Sequence, residues 1–474
     1  MRTMSELSSD FATRFLAEDL ALSVTPADYS LLTDLYQLTM AACYVGEGLD
    51  QAWASFELFT RRLPDGFGYL IAMGLQQALD YLKNLRFSSE QIQALQATGI
   101  FAHAPDRFWQ LLADARFSGD VWAVPEGTAI FANEPLLRID APLWQAQLAE
   151  TYLLNTLNYQ TLIATRAARL RDIAGPEATL LEFGTRRAFS PQGSVWAARA
   201  ALAAGMDGTS NVLAALRMGH KPRGTMAHSL VMALSAMEGG EDEAFTAFHR
   251  YFPGAALLID TYDTVEAAQR LAEQVKRGEI ELKGIRLDSG DLVELSRKVR
   301  SLLPDVPIFA SGDIDEWEIA RLQTAGAAID GYGLGTKLVS GAPVNGVYKL
   351  VEVAGRPVMK ESRDKATYPG RKQILRKLQH GQVVQDQLVL MDQPLSSSIC
   401  SDPSSMIQIQ LLQPVIKQGE QLQPPESLAE IAQRTTDSVT SLPLEVRRLE
   451  QPQSLPVKIS SALQQLTDEV RHGD

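Results

Sequence analysis

The sequence predicts a parallel α/β barrel over residues 150–381. An N-terminal α+β domain (28–149) precedes it, and a C-terminal extension (382–474) packs on the other domains; residues 1–27 read as a flexible leader. Three observations lead there. From about Glu150, short apolar runs end in Gly, Asp, Ser or Thr and each is followed by a helix-period segment, the pattern of repeated βα units. Behind three of these runs stand the pairs Asp263 with Glu266, Asp291 with Glu294, and Asp315 with Glu318, which set acidic groups where the first amides of a helix need acceptors. The polar residues gather just after the runs, where the carboxyl ends of barrel strands and their loops form a catalytic face.

Met1 to Ser30 mixes charged residues among short apolar groups, without the apolar core of a signal peptide. Leu31, Leu35, Leu38 and Ala42 are spaced to share one side of a helix. Strand-like stretches follow at Trp53 to Phe59 and Val121 to Val124, and the capping box Ser88 to Gln91 opens a helix. Barrel strand ends are expected at Leu180 to Phe183, near Gly208, near Thr225, at Leu257 to Asp260, Gly284 to Asp288, Ile308 to Ser311 and Gly331 to Leu334. Beyond Gln382 the chain turns rich in Gln, Ser and Pro, yet Leu388 to Met391, Ile407 to Val415 and Leu463 to Val470 retain structured patterns.

Composition narrows the function. Single cores stop growing at roughly 250 to 300 residues, so 474 residues imply two or three domains. An apolar fraction of 45% and a charged fraction of 21% are those of a globular protein. A formal net charge of -13 argues against nucleic acid or an anionic membrane as partner. No apolar run reaches the roughly 18 residues of a membrane helix. Cys43 and Cys400, the only cysteines, provide neither a disulfide framework nor a thiolate metal site, which points to a reducing cytoplasm.

Six stretches carry candidate chemistry. In Gly284-Ile-Arg-Leu-Asp-Ser-Gly-Asp291, Arg286 and Asp288 lie two apart on a strand and share a face, either as an internal ion pair or as substrate-binding groups. Gly224-Thr-Met-Ala-His228 is a strand-to-helix turn with amides for a phosphate and an imidazole that is either a cap or a nucleophile. Glu182-Phe-Gly-Thr-Arg-Arg187 ends a strand with guanidinium groups suited to a carboxylate or phosphate, Arg186 being nearer the strand end; its bland reading is a surface salt-bridge cluster. The consecutive ends Ile308-Phe-Ala-Ser-Gly-Asp313 and Gly331-Tyr-Gly-Leu-Gly-Thr-Lys337 offer Ser311, Gly312, Gly335 and Thr336 to a phosphate, unless the glycines merely ease turns. Lys360, Lys365, Arg371, Lys372 and Arg376 form a basic cluster, either phosphate-binding or a solvated surface.

Taken together, Thr33-Asp-Leu-Tyr-Gln-Leu-Thr-Met40, Glu182-Phe-Gly-Thr-Arg-Arg187, Gly224-Thr-Met-Ala-His228, Ile285-Arg-Leu-Asp-Ser-Gly-Asp-Leu292 and Gly333-Leu-Gly-Thr336 resemble the nicotinate phosphoribosyltransferase family, in the same order. Leu411-Leu-Gln-Pro-Val415 and Leu442-Pro-Leu-Glu-Val-Arg-Arg448 resemble the family's tail. The resemblance implies an irregular α/β barrel beside the N-terminal domain, a homodimer with shared active sites, and synthesis of nicotinate mononucleotide from nicotinate and phosphoribosyl pyrophosphate, with Mg2+ and coupled ATP hydrolysis. It implies His228 as a phosphohistidine, Thr225 and Arg286 on nicotinate, Thr336 on the phosphoribosyl donor, and Tyr36 stacked on the pyridine ring. An arginine reading the carboxylate also rejects the neutral amide, which leaves the guanidinium unpaired. Lys337 departs from the arginine commoner in the family. The rivals are phosphoribosyltransferases of quinolinate or nicotinamide, and a phosphosugar barrel with Lys283 or Lys337 as a Schiff-base amine.

Overall fold

The computed structural model describes residues 23–361, 367–393 and 406–472; the leader up to residue 22, Lys365 and Cys400 lie outside them. Six parallel strands form the centre: β1 (Thr179–Glu182), β2 (Gly208–Thr209), β3 (Leu257–Leu258), β4 (Ile285–Leu287), β5 (Ile308–Ala310) and β6 (Gly331–Leu334). Their order is β2-β1-β6-β5-β4-β3. Side chains alternate across each strand. Leu180, Ile285, Leu287, Ile308, Ala310 and Leu334 are fully buried outward against the helices, in one apolar cluster. Each such leucine or isoleucine side chain contributes about 1.5–3 kcal/mol through removal from water. Leu181, Phe183, Arg286 and Phe309 face inward.

The barrel is irregular because no ladder joins β2 to β3 among the described residues. Residues 220–227, where a strand end near Thr225 was expected, form a loop. Pro222 has no amide hydrogen to donate and Gly224 favours no extended form, so a single bond, Arg223 N–H to the Thr209 carbonyl at 2.8 Å, ties this loop to β2. The expected caps are present. Asp263 accepts from the amides of Val265 and Glu266, Asp291 from those of Val293 and Glu294, and Asp315 from that of Glu318. Ser88 and Gln91 form both bonds of their capping box.

The N-terminal sheet draws on distant parts of the chain. Trp53–Thr60 lies antiparallel between Pro135–Pro142 and Gly346–Val353, and Asp120–Ala123 carries Gln413–Lys417 on its far side. Residues 346–357, assigned to the barrel from the sequence, therefore belong to this sheet. The boundary at 381/382 is also corrected: Lys372–Gln379 and Gln382–Leu390 are one hairpin, closed by His380 and Gly381 at φ 51° and 78°, the left-handed pair a two-residue turn needs.

On the first helix, Leu35–Gly46, the buried stripe is Gln37, Leu38, Ala41 and Val45, while Leu35 is exposed. Gln37 replaces the expected leucine because its amide is satisfied: Nε2 donates to Glu150 at 2.9 Å and Oε1 accepts from Gln147 at 2.6 Å.

Candidate active site

Parallel register sets the first three groups. Phe309 pairs with Arg286 and Ala310 with Leu287, so Ser311 emerges beside Asp288. Arg286 Nε donates to Ser311 Oγ at 3.0 Å, and the Ser311 hydroxyl donates to Asp288 Oδ1. Arg286 Nη2 lies 3.4 Å from the same oxygen, and Nη1 donates to the Met226 carbonyl at 3.1 Å. Arg286 and Asp288 are thus joined mainly through Ser311 and remain half-open. Gly312 follows at φ +105°, where a Cβ would stand 2.9 Å from the Asp288 carbonyl, so only glycine turns the chain away here.

His228 opens the helix His228–Glu238 but caps nothing; its Nδ1 lies 3.0 Å from Thr261 Oγ1. Asp260, at the end of β3, accepts from the Asp288 amide at 2.8 Å and from the Ser289 hydroxyl at 2.7 Å through Oδ2. Its other oxygen is buried without a hydrogen-bond partner and faces His228 Nε2 at 3.9 Å. Sequence reasoning treated Asp260 only as a strand end. The available signal was an acid at a strand terminus, the same position that singled out Asp288.

A cavity of about 350 Å³ runs through the barrel, lined by Phe183, Phe309, Thr225, Arg223, Arg286 and Gly333 among others. The two rings were not foreseen as site residues. Gly331 and Gly333 lie inside β6, not in turns, and neither has a positive φ. A Cβ on Gly333 would fall 2.6 Å from the Phe183 ring, and one on Gly331 would fall 2.8 Å from Phe309. Their missing side chains are the space that the rings occupy. The Arg286 guanidinium sits 5.9 Å from the centre of the Phe183 ring. An aromatic floor beside a cation suits a flat anion.

Arg186 and Arg187 are exposed, and no acid pairs with either among the described residues. Glu182 turns the other way, where its carboxylate accepts from the Gly184 amide and the Thr209 hydroxyl; burial pushes its pKa up. The salt-bridge cluster is therefore absent, and Arg186 is available to an anion. Gly335 caps the one-turn helix Thr336–Val339, and both Gly335 and Thr336 are half-buried.

Other candidates fall elsewhere. Tyr36 is largely exposed on the first helix, and its partial burial and then Glu150 push its phenol up to about 12. No described contact links it to the barrel cavity of its own chain. In the basic cluster, Lys372 is buried and pairs with Glu57 at 2.9 Å, Arg376 is buried and pairs with Asp386 at 2.5 Å, and Arg371 reaches Asp392 at 2.8 Å. Lys372 and Arg376 therefore form buried structural ion pairs, whereas Lys360 is exposed. Lys283 pairs with Glu281, and Lys337 with Asp315 at 3.7 Å, so neither is the desolvated amine a Schiff base needs. The described residues hold no group of three or more His, Cys, Asp or Glu side chains able to bind a metal, and no helix among them is long and apolar enough to cross a membrane.

Models of the nicotinate phosphoribosyltransferase N-terminal domain, family and C-terminal domain match residues 31–158, 178–307 and 371–467. The chain is 40% identical to the nicotinate phosphoribosyltransferase pncB2 of Mycobacterium tuberculosis over 94% of each chain. It is 37% identical to that of Bacillus subtilis, covering 91% of this chain and 93% of the relative. The crystal structure of human nicotinic acid phosphoribosyltransferase superposes with a TM-score of 0.80 at 31% identity, over 92% of this chain and 99% of the human one.

Proposed function

We propose how this site works from one premise: the chain belongs to the nicotinate phosphoribosyltransferase family, and so forms nicotinate mononucleotide from nicotinate and phosphoribosyl pyrophosphate in the salvage of NAD. The observation that carries the residue roles is the cavity itself, where Phe183, Arg286 and Thr225 adjoin the strand ends that bear Asp288 and Ser311 and the loop that leads into His228. The pyridine ring lies on Phe183 with its carboxylate towards Arg286 and Thr225. Arg186, Ser311, Gly312, Gly335 and Thr336 receive the phosphoribosyl donor.

Loss of pyrophosphate leaves positive charge on the ribosyl carbon, and Asp288 stabilises it as the pyridine nitrogen forms the new bond. Mg2+ requires only one or two carboxylates when phosphates and waters complete its shell. Asp288 is a carboxylate that would hold it, and when bound it neutralises phosphate charge. ATP couples through His228. An imidazole lone pair forms a bond to the γ-phosphorus as the bond to the bridging oxygen breaks, and ADP leaves with that electron pair. Asp260 holds the proton on Nε2, which leaves Nδ1 as the nucleophile once Thr261 turns away.

The active unit is a homodimer in which the partner subunit's Tyr36 closes the pyridine site. Leu32, Leu35, Tyr36 and Phe189 are all exposed, apolar side chains that a second copy would cover. With Cys43 free and exposed, the cytoplasm is the compartment. The test is to incubate the protein with nicotinate, phosphoribosyl pyrophosphate and Mg2+, with and without ATP. Nicotinate mononucleotide forms, more of it with ATP, and mass spectrometry finds phosphate on His228; no product in either mixture overturns the reading.

A further inference from the structure

Arg286 is an incomplete reader of an acid. Three of its nitrogens already donate, and Asp288 lies 3.4 Å from one of them, so the pair brings little net charge to an entering carboxylate. A substrate anion taken out of water needs an uncompensated cation nearby. The barrel cavity contains one. Its lining includes Arg223 and Lys283 besides Arg286, and no Asp or Glu. Lys283 is paired with Glu281, whereas among the described residues the Arg223 guanidinium has neither an acidic partner nor a hydrogen bond.

Arg223 is also built into place. Its amide donates to the Thr209 carbonyl of β2 at 2.8 Å. Its side-chain stem lies on Gly208, where a Cβ would come within 2.7 Å of Cδ and 3.0 Å of Cγ. Gly208 pairs with the inward-facing Leu181, so this stem runs along the inner wall of the barrel between β2 and the loop. We infer that Arg223 is the specificity-determining residue for the acid: it supplies the charge that binds the carboxylate of an aromatic acid, while Arg286 orients it. This rests on the proposed placement of nicotinate in the cavity. The amide analogue lacks the charge that Arg223 compensates, so discrimination lies with Arg223 more than with Arg286.

The experiment compares the full-length wild type with Arg223→Gln and Arg223→Lys, using nicotinate and nicotinamide as alternative substrates. In Arg223→Gln the KM for nicotinate rises tenfold or more, the KM for phosphoribosyl pyrophosphate stays within twofold, and the acid-to-amide ratio of kcat/KM falls at least tenfold. Arg223→Lys, which keeps the charge, recovers part of the loss. Gly208→Ala, which displaces the stem without removing the guanidinium, shows the same shift in KM. An unchanged nicotinate KM in folded Arg223→Gln, or an equal rise for the phosphoribosyl donor, overturns the inference while the functional reading stands. A wild type that makes no nicotinate mononucleotide overturns that reading instead. Calorimetric titration of nicotinate into the same proteins then decides for Arg223 alone, and a Kd that does not differ between wild type and Arg223→Gln rejects it.

Discussion

His228 Nε2 stands 3.9 Å from Asp260 Oδ1, a buried oxygen without a hydrogen-bond partner among the described residues. An acceptor left bare in the interior costs about 1–3 kcal/mol, and a proton on the facing imidazole nitrogen relieves that cost. Asp260→Asn keeps one oxygen for the Asp288 amide and Ser289 hydroxyl but turns an NH2 donor towards His228, which favours the opposite tautomer. Phosphate on His228 after treatment with ATP falls at least tenfold, read by mass spectrometry, while turnover without ATP changes less than threefold. Phosphorylation at the wild-type level would sink the orienting role of Asp260.

Gly333→Ala places a methyl 2.6 Å from the Phe183 ring, in a strand that cannot shift without disturbing its ladder to β1. Overpacking of this kind costs about 1–3 kcal/mol. The expected outcome is a lower urea midpoint with an unchanged slope, together with a higher KM for nicotinate.

Arg286→Ala removes the donor to Ser311 and leaves Asp288 with the serine hydroxyl alone. Turnover with nicotinate falls by about two orders of magnitude, the loss typical of one preorganised electrostatic contact in a closed site. The acid-to-amide ratio moves less than in Arg223→Gln. Steady-state kinetics on both substrates check this, and a ratio that collapses only in Arg286→Ala would reassign the carboxylate to Arg286.

Glu134 yields a pH prediction. Burial, then the nearby Asp386, raises its carboxyl well above the usual range; Oε2 accepts from the Phe131 amide and Oε1 has no donor among the described residues. A raised carboxyl binds its proton more tightly in the folded state than in the unfolded one. Its contribution is therefore fully present below the unfolded value and is lost as pH rises through the folded value. Glu134→Gln carries the equivalent of that proton at every pH, so its Tm falls less than the wild type's between pH 5 and 8. Parallel Tm profiles would remove Glu134 as the source.

The parts of the fold that could be read were local. Asp263, Asp291 and Asp315 announce helices because a cap is a contact across two or three residues, and the strands ending at Glu182, Leu287, Ala310 and Leu334 announce themselves by apolar runs. Gly346–Val353 could not be placed, because its partner Trp53–Thr60 lies almost three hundred residues away and nothing local records the pairing. The site divides the same way. Arg286 and Asp288 were visible from their two-residue spacing, whereas Asp260 and Phe183 acquire meaning only from what they face across the barrel.

The shared N-terminal sheet has a consequence for synthesis. Trp53–Thr60 emerges from the ribosome long before Gly346–Val353, and Asp120–Ala123 before Gln413–Lys417, so two β edges remain open until most of the chain has been made. Open edges recruit other chains. The nascent enzyme therefore meets its greatest risk of aggregation before its last quarter is complete, and truncation ahead of residue 413 makes that exposure permanent.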